Sequence, residues 1–443
     1  MYFFDEFLCL FFFTFEDFFS RKYITEANKF IRNRKMSFKD HIIYILVQRG
    51  CTNYIEAVRF FTKFKNNPFQ TISSQAIGKQ RIFISPQLFI DMNESFIDRL
   101  YSKFKNFSKQ KDYIICACDG SIMDLPNVIL TRKQFPYFEN TLLKGKPIRA
   151  RVSCFLNINS EHILTAKIVE REIDEIALAI EHLENLKSRF NLEKLITIYD
   201  RGYVSKSLMI KTIDLNSKFL IRLKKNDFIN QINKMKTDDE IIEFKITNRV
   251  LNQLNDEKLR QKYEKIGWIK IRIAKVKLNN GDIEVLATNL TEEEFSSEEL
   301  KILYGKRWSV ETGFDKLKNM VQIEEFTGIR RPIIEQDFYA HIFIYNLGIT
   351  IKIDAKRKIV RKKRNKNSNI LYLPNFAKII GNIYLYFYDL ITSSNSEKRE
   401  IIDFLIKEAS KQLTQENLDK KTDKTRKSPD INNKHPGNMK KTH

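Results

Sequence analysis

Tyr304, Arg307, Glu311 and Lys318 are separated by two, three and six intervening residues in the stretch Leu303-Tyr-Gly-Lys-Arg-Trp-Ser-Val-Glu-Thr-Gly-Phe-Asp-Lys-Leu-Lys318. On a helix turning about 100° per residue the four fall within an arc of roughly 60°. Val310, Phe314 and Leu317 occupy a separate, apolar side. A carboxylate among two cations and a phenol can hold a divalent metal while the cations hold phosphate. The pattern points to phosphodiester chemistry. Two further carboxylates fit the same purpose. Asp119 and Asp200 each end a run of β-type residues, Tyr113–Asp119 and Leu195–Asp200. Acids at the ends of adjacent strands can converge without burying charge in the core. With Glu311 they could hold two divalent ions roughly 3.5–4 Å apart. A lone Asp after a strand is more often a turn former, so the weight lies on the ordered combination.

The elements that must position these residues are legible as patterns. Residues 22–110 read as mostly helical, with Ser37 as an N-cap and basic residues (Arg32, Arg34, Lys35, Lys63, Lys65, Lys79, Arg81) between apolar ones. This segment is either a small DNA-binding domain or a packing subdomain with a solvated basic face. Tyr113–Asp119, Arg149–Asn157 and His162–Val169 read as strands. Asp174–Phe190 follows as a helix, Leu195–Tyr199 as a strand, Ser205–Leu215 as a helix and Lys218–Leu223 as a strand. That order predicts an α/β architecture, a mixed sheet with covering helices. Residues 224–290 read as mostly strands, with Asn279-Asn-Gly-Asp282 as a hairpin turn. Phe338–Ile353 and Phe376–Ile391 read as apolar helices, and Ala355–Lys366 is a basic run. From about Lys411 the chain is polar and lysine-rich, a composition expected to be disordered.

Composition agrees with a polyanionic partner. The chain has 443 residues, with 77 Lys and Arg against 55 Asp and Glu, a net charge of +22. Such an excess suits nucleic acid or an anionic surface, although a solvated lysine-rich surface is the plainer reading. Cys9, Cys51, Cys116, Cys118 and Cys154 form no Cys-x-x-Cys pair, and buried thiols in a cytoplasmic protein are expected. The apolar run Phe7–Phe15 is too short for a membrane span, which needs about 20 residues. It is either a core helix or an upstream extension. No glycine loop for nucleotide phosphates is present, so ATP chemistry is not indicated. Asp124 and Asp315 read as surface acids; Trp268 and Trp308 receive no role in the site.

The spacing of Tyr304, Arg307, Glu311 and Lys318 resembles the signature of DDE transposases of the insertion-sequence-four family. Cys118-Asp-Gly-Ser121 and Tyr199-Asp-Arg-Gly-Tyr203 resemble that family's two acidic motifs. Glu325-Phe-Thr-Gly, Gln336–Leu347 and Ser73–Arg81 are similar to its flanking segments, so the resemblance covers roughly residues 35–390. It implies an α/β, ribonuclease H-like catalytic core with a β-rich insertion, preceded by a helical N-terminal domain. The expected divisions are an apolar N-terminal extension (1–22), a helical domain that is a candidate for DNA binding (23–110), the core's first part (111–223), the insertion (224–290), the core's second part (291–355), a basic helical region (356–410) and a disordered basic tail (411–443). The resemblance further implies cut-and-paste transposition. The enzyme would cleave at element ends, commonly through a hairpin, and join the 3′-hydroxyl to target DNA. Asp119, Asp200 and Glu311 would be catalytic and would bind two Mg2+ ions, with Mn2+ as substitute. Tyr304, Arg307 and Lys318 would contact DNA phosphates. The partners would be double-stranded DNA (terminal inverted repeats and target) and a second copy of the chain, in the cytoplasm and away from membranes. A ribonuclease H-like nuclease without strand transfer, or a non-catalytic DNA-binding relative, are the alternatives.

Overall fold

The computed structural model describes residues 4–32, 34–136, 147–254, 256–278, 281–362 and 370–417. A long mixed sheet forms its centre. β1 (Tyr113–Leu125), β2 (Ile148–Asn157) and β3 (Ile163–Glu170) make an antiparallel meander. The chain then crosses over, and β4 (Leu195–Tyr199) and β5 (Lys218–Arg222) add in parallel on the other side of β1. Helix α6 (Glu175–Lys187) fills the first crossover and α7 (Lys206–Asp214) the second. Each starts where a side chain satisfies an orphan amide: Asp174 accepts from Ala177 N, and Ser205 from Leu208 N. Three antiparallel strands followed by two parallel ones, in the order β3-β2-β1-β4-β5, is the ribonuclease H-like arrangement.

The segment expected to be mostly strand extends the same sheet. β6 (Asp239–Lys245), β7 (Trp268–Lys277) and β8 (Ile283–Thr288) continue it as β5-β8-β7-β6, all antiparallel. It also contains helix α8 (Glu257–Ile266), capped by Asp256 and stopped by Gly267 at φ +74°, which the strand-like reading did not include. Asn279 and Asn280 of the expected hairpin turn lie outside the described residues.

A helical lobe packs on one side. Helices α2 (Phe38–Leu46), α3 (Asn53–Phe64), α4 (Ser74–Arg81) and α5 (Gln87–Lys103) come from the N-terminal part. Ser37 and Asp40 close a capping box at the start of α2. Farther along, α9 (Ser297–Gly305) and α10 (Trp308–Asn319) lead to α11 (Arg331–Lys362), then α12 (Phe376–Thr392) and α13 (Asn395–Ala409). Helices α2, α4 and α5 rest on α11, which is the axis of this lobe.

The apolar N-terminal stretch is a core helix. In α1 (Asp5–Phe13), Phe7, Phe11 and Phe12 are buried, as is Phe15 just beyond. Their rings meet Phe96, Phe343 and Phe387 at 5.0–6.4 Å, mostly edge to face. Part of the expected disordered tail is ordered: Leu413–Asn417 forms strand β10, paired antiparallel with β9 (Ile370–Pro374). Residues 418–443, and residues 363–366 of the basic run, lie outside the described residues. Among the described residues no helix is long and apolar enough to cross a membrane.

Candidate active site

The two aspartates meet through strand register. Ile114 pairs with Leu195 and Ala117 with Ile198 in the parallel ladder, so the same register continued two residues sets Asp119 beside Asp200. Asp119 does not end its strand, contrary to the sequence expectation. β1 continues to Leu125 because β2 still pairs with it as far as Leu125–Ile148. Only the β4 side ends there, which opens one flank of Asp119 to the site.

Each aspartate is oriented by a nearby amide. Asp119 Oδ1 accepts from Gly120 N at 2.9 Å, and Asp200 Oδ1 accepts from Gly202 N at 2.5 Å. Gly202 leaves room for the second contact as it stands, since a Cβ there would fall 2.8 Å from Asp200 Oδ1 and the carboxylate would have to shift. Burial pushes the Asp119 carboxyl up to about 6. The Gly120 amide and Arg307 oppose that shift, while the charges of Asp200 and Glu311 add to it. The three expected carboxylates therefore share one electrostatic neighbourhood.

Glu311 arrives on α10, and the helix predicted as continuous is in two pieces. Arg307 N donates to Tyr304 O at 2.9 Å and Val310 N to Arg307 O at 3.1 Å, a tightened turn between α9 and α10. Tyr304 closes α9, and Arg307 enters α10. Both are buried. Arg307 Nη2 donates to Glu311 Oε1 at 3.1 Å, and its guanidinium lies 5.4 Å from the ring of the exposed Trp308. Arg307 Nε is buried with no partner among the described residues. Burial holds the Tyr304 hydroxyl up at about 12, so it stays protonated at neutral pH. Lys318 stands at the far end of α10, donating to Ile122 O at 3.0 Å and pairing with Glu324 at 3.3 Å. It thereby ties α10 to β1.

Two site residues carried no motif signal. Tyr199 pairs with Ile221, so Arg222 stands next to Asp200 in the adjoining strand. Arg222 Nε pairs with Glu284 Oε1 of β8 at 3.0 Å. Burial raises the Glu284 carboxyl, and both charges act on Tyr304. Only their positions near strand ends could have flagged them. Asp315 and Asp124 lie outside the site: Asp315 accepts from Asn319, and Asp124 pairs with Arg149. Trp268 is exposed on β7.

The donor set is all oxygen, which suits Mg2+ or Mn2+. Asp119, whose carboxyl is pushed up by burial and its acidic neighbours, is one that a cation would stabilise in its charged form. Among the described residues, however, no three His, Cys, Asp or Glu side chains stand close enough together to hold a metal ion. Here Arg307 is the counter-ion of Glu311.

Residues 144–347 match the family model described as transposase DDE domain. That span includes Asp200, Tyr304, Arg307, Glu311 and Lys318; Asp119 precedes it. The chain is 22% identical over 242 residues to transposase InsG for insertion sequence element IS4 of Escherichia coli (strain K12), covering 53% of this chain and 51% of the relative. It thus spans about half the length of the curated relative it matches. Among solved structures it is similar to a piggyBac transposase synaptic complex with hairpin DNA, at 12% identity and TM-score 0.43, covering 96% of this chain and 88% of that one. By the matched span and the InsG similarity, the chain is similar to DDE transposases of the insertion-sequence-four type over residues 144–347.

Proposed function

We propose that this chain cleaves DNA at the ends of an insertion sequence and joins the freed 3′-hydroxyl to target DNA, with Mg2+ as cofactor. The observation that carries the reading is the register placing Asp119 beside Asp200, in electrostatic contact with Glu311 on α10. Two divalent ions held by Asp119, Asp200 and Glu311 would supply activation of the attacking oxygen and stabilisation of the leaving one. The chain's own residues do the rest. Arg307 offers its unpartnered Nε to a phosphate oxygen, a charge-assisted bond in a water-poor setting. Tyr304, protonated at working pH, donates to the same backbone. Lys318 holds α10 against β1 and adds positive charge beside the DNA track.

The wider basic surface steers duplex DNA to this edge of the sheet. Joining both ends of an element requires two such sites, so the working unit is a homodimer on DNA.

The test uses purified protein, Mg2+ and a duplex carrying the inverted repeats that flank its own gene. Wild type is expected to cut at the repeat ends and to join them to target DNA. Glu311→Gln is expected to abolish both while binding persists. Cleavage that survives Glu311→Gln would sink the site assignment; cutting without joining would favour a plain nuclease.

A further inference from the structure

We infer that Phe69 is a wedge that enters duplex DNA between base pairs, with Lys35 and Lys63 holding the phosphates beside it. This rests on the DNA-acting reading above and concerns a surface of the helical lobe outside the active site.

Phe69 is 98% exposed, the most exposed large apolar side chain among the described residues. Single exposed apolar residues are ordinary, so exposure alone says little. Its mounting says more. Gln70 N donates to Asn67 O at 3.2 Å, and Asn67 Nδ2 to Gln70 Oε1 at 3.3 Å. Asn67 N is itself held by Phe61 O of α3 at 3.0 Å. Pro68 occupies the second position of this turn, where its fixed φ stiffens the backbone. The ring therefore stands at the tip of a rigid turn rather than on a loose loop, so little conformational entropy opposes its insertion.

Lys35 is tied to the main chain two residues beyond Phe69, and Lys63 lies on α3, the helix whose Phe61 carbonyl holds the turn. Lys35 Nζ donates to Thr71 O at 3.1 Å, and Lys63 Nζ to Leu385 O at 2.7 Å. Both ammonium groups bond main-chain oxygens, and among the described residues neither has a carboxylate within ion-pair distance. Lys63 lies mainly among like charges: its ammonium is pulled down by burial first and then by Arg49 and Arg59, with the Asp389 carboxylate opposing them. An arriving anion would relieve the remaining repulsion.

An apolar wedge accompanied by cations without an ion-pair partner among the described residues matches bent or unstacked DNA. The cations take phosphates while the ring replaces stacking lost at the opened step. A protein partner would not require the flanking charge, and a phosphate site alone would not require the ring.

The experiment measures binding of the full chain, without Mg2+, to a mixed-sequence duplex and to the same duplex with one T·T mismatch. A mismatch lowers the cost of opening the step, so wild type is expected to prefer the mismatched duplex. Phe69→Ala is expected to remove that preference and to weaken mismatch binding roughly five- to 150-fold, the worth of one base–aromatic stack. Phe69→Leu should keep part of the preference, since leucine also wedges. Lys35→Ala or Lys63→Ala should weaken both duplexes alike and lower the salt slope by about one. Phe69 is exposed, so its removal leaves the fold intact. Unchanged binding by Phe69→Ala alongside normal end cleavage would overturn the wedge alone. A loss of dimerisation in Phe69→Ala with DNA preference retained would overturn it in favour of a contact between copies. Failure of wild type to bind either duplex would overturn the transposase reading and the wedge together.

Discussion

Replacing Glu161 by glutamine tests how the helix bearing Glu311 is held. Glu161 sits in the turn between β2 and β3 at φ +65° and receives Lys316 of α10 and Lys352 of α11. Lys352 Nζ reaches both carboxylate oxygens, at 2.8 and 3.0 Å, and Tyr345 donates to the Glu161 carbonyl at 3.1 Å. One side chain thus clips the sheet to two helices. Burial alone would raise its carboxyl, but Lys352 and Lys316 outweigh it and hold the group down at about 2. A displacement from the ordinary 4.5 to about 2 corresponds to about 3 kcal/mol of charge interaction. The side chain is 33% exposed, so solvent screens part of that, and about 1–2 kcal/mol remains.

The sign follows from the lowered value. The carboxylate stabilises the fold fully above its ordinary 4.5, and that stabilisation is lost as pH falls toward 2. Urea unfolding of wild type and Glu161→Gln should therefore differ by about 1–2 kcal/mol near neutral pH, with the gap closing below the ordinary carboxylate range. With Lys316 released, α10 is less firmly seated, and end cleavage should slow by up to about a hundredfold with DNA affinity unchanged. A stability gap that stays constant into acid, or none at all, would refute this account of the clip.

Two further predictions concern packing around the site. Arg81 and Asp337, each 1% exposed, form an ion pair at 2.7 Å that also engages Gln336 and Thr327, joining α4 to the segment after α10. Arg81→Leu should destabilise by about 3–5 kcal/mol, and Arg81→Leu combined with Asp337→Leu by less than the two single changes summed, in denaturant titrations. Gly313 in α10 lies against the sheet, where an added Cβ would fall 2.5 Å from Leu156 Cδ1. Gly313→Ala should cost about 1–3 kcal/mol, and an unchanged unfolding midpoint would show that Leu156 moves freely.

Several features were legible before any fold was known. Alternation marked β2 and β3, and Ser37 announced α2, because side-chain period and cap chemistry are local. The strands of the ribonuclease H-like core appeared in order, and the apolar helices within α11 and at α12 were placed closely. Other features were misread for physical reasons. Asp119 lies within β1, since strand length depends on pairing with β2, hundreds of atoms away in the chain. The continuous helix is divided because the turn at Lys306–Arg307 tightens, which the helical spacing alone does not reveal. The apolar N-terminal run could be read two ways until its aromatic partners, Phe96, Phe343 and Phe387, came together in space.

By itself the sequence determined which groups are available: three carboxylates, and a tyrosine, arginine and lysine at fixed helical offsets from Glu311. Those are properties of residue type and local spacing. Tertiary structure alone decided that Asp119 faces Asp200, that Arg222 and Glu284 stand beside them, and that Arg307 pairs with Glu311. Register between strands and the seating of α10 on β1 come from long-range hydrogen bonding and packing, which leave no periodic mark in the chain.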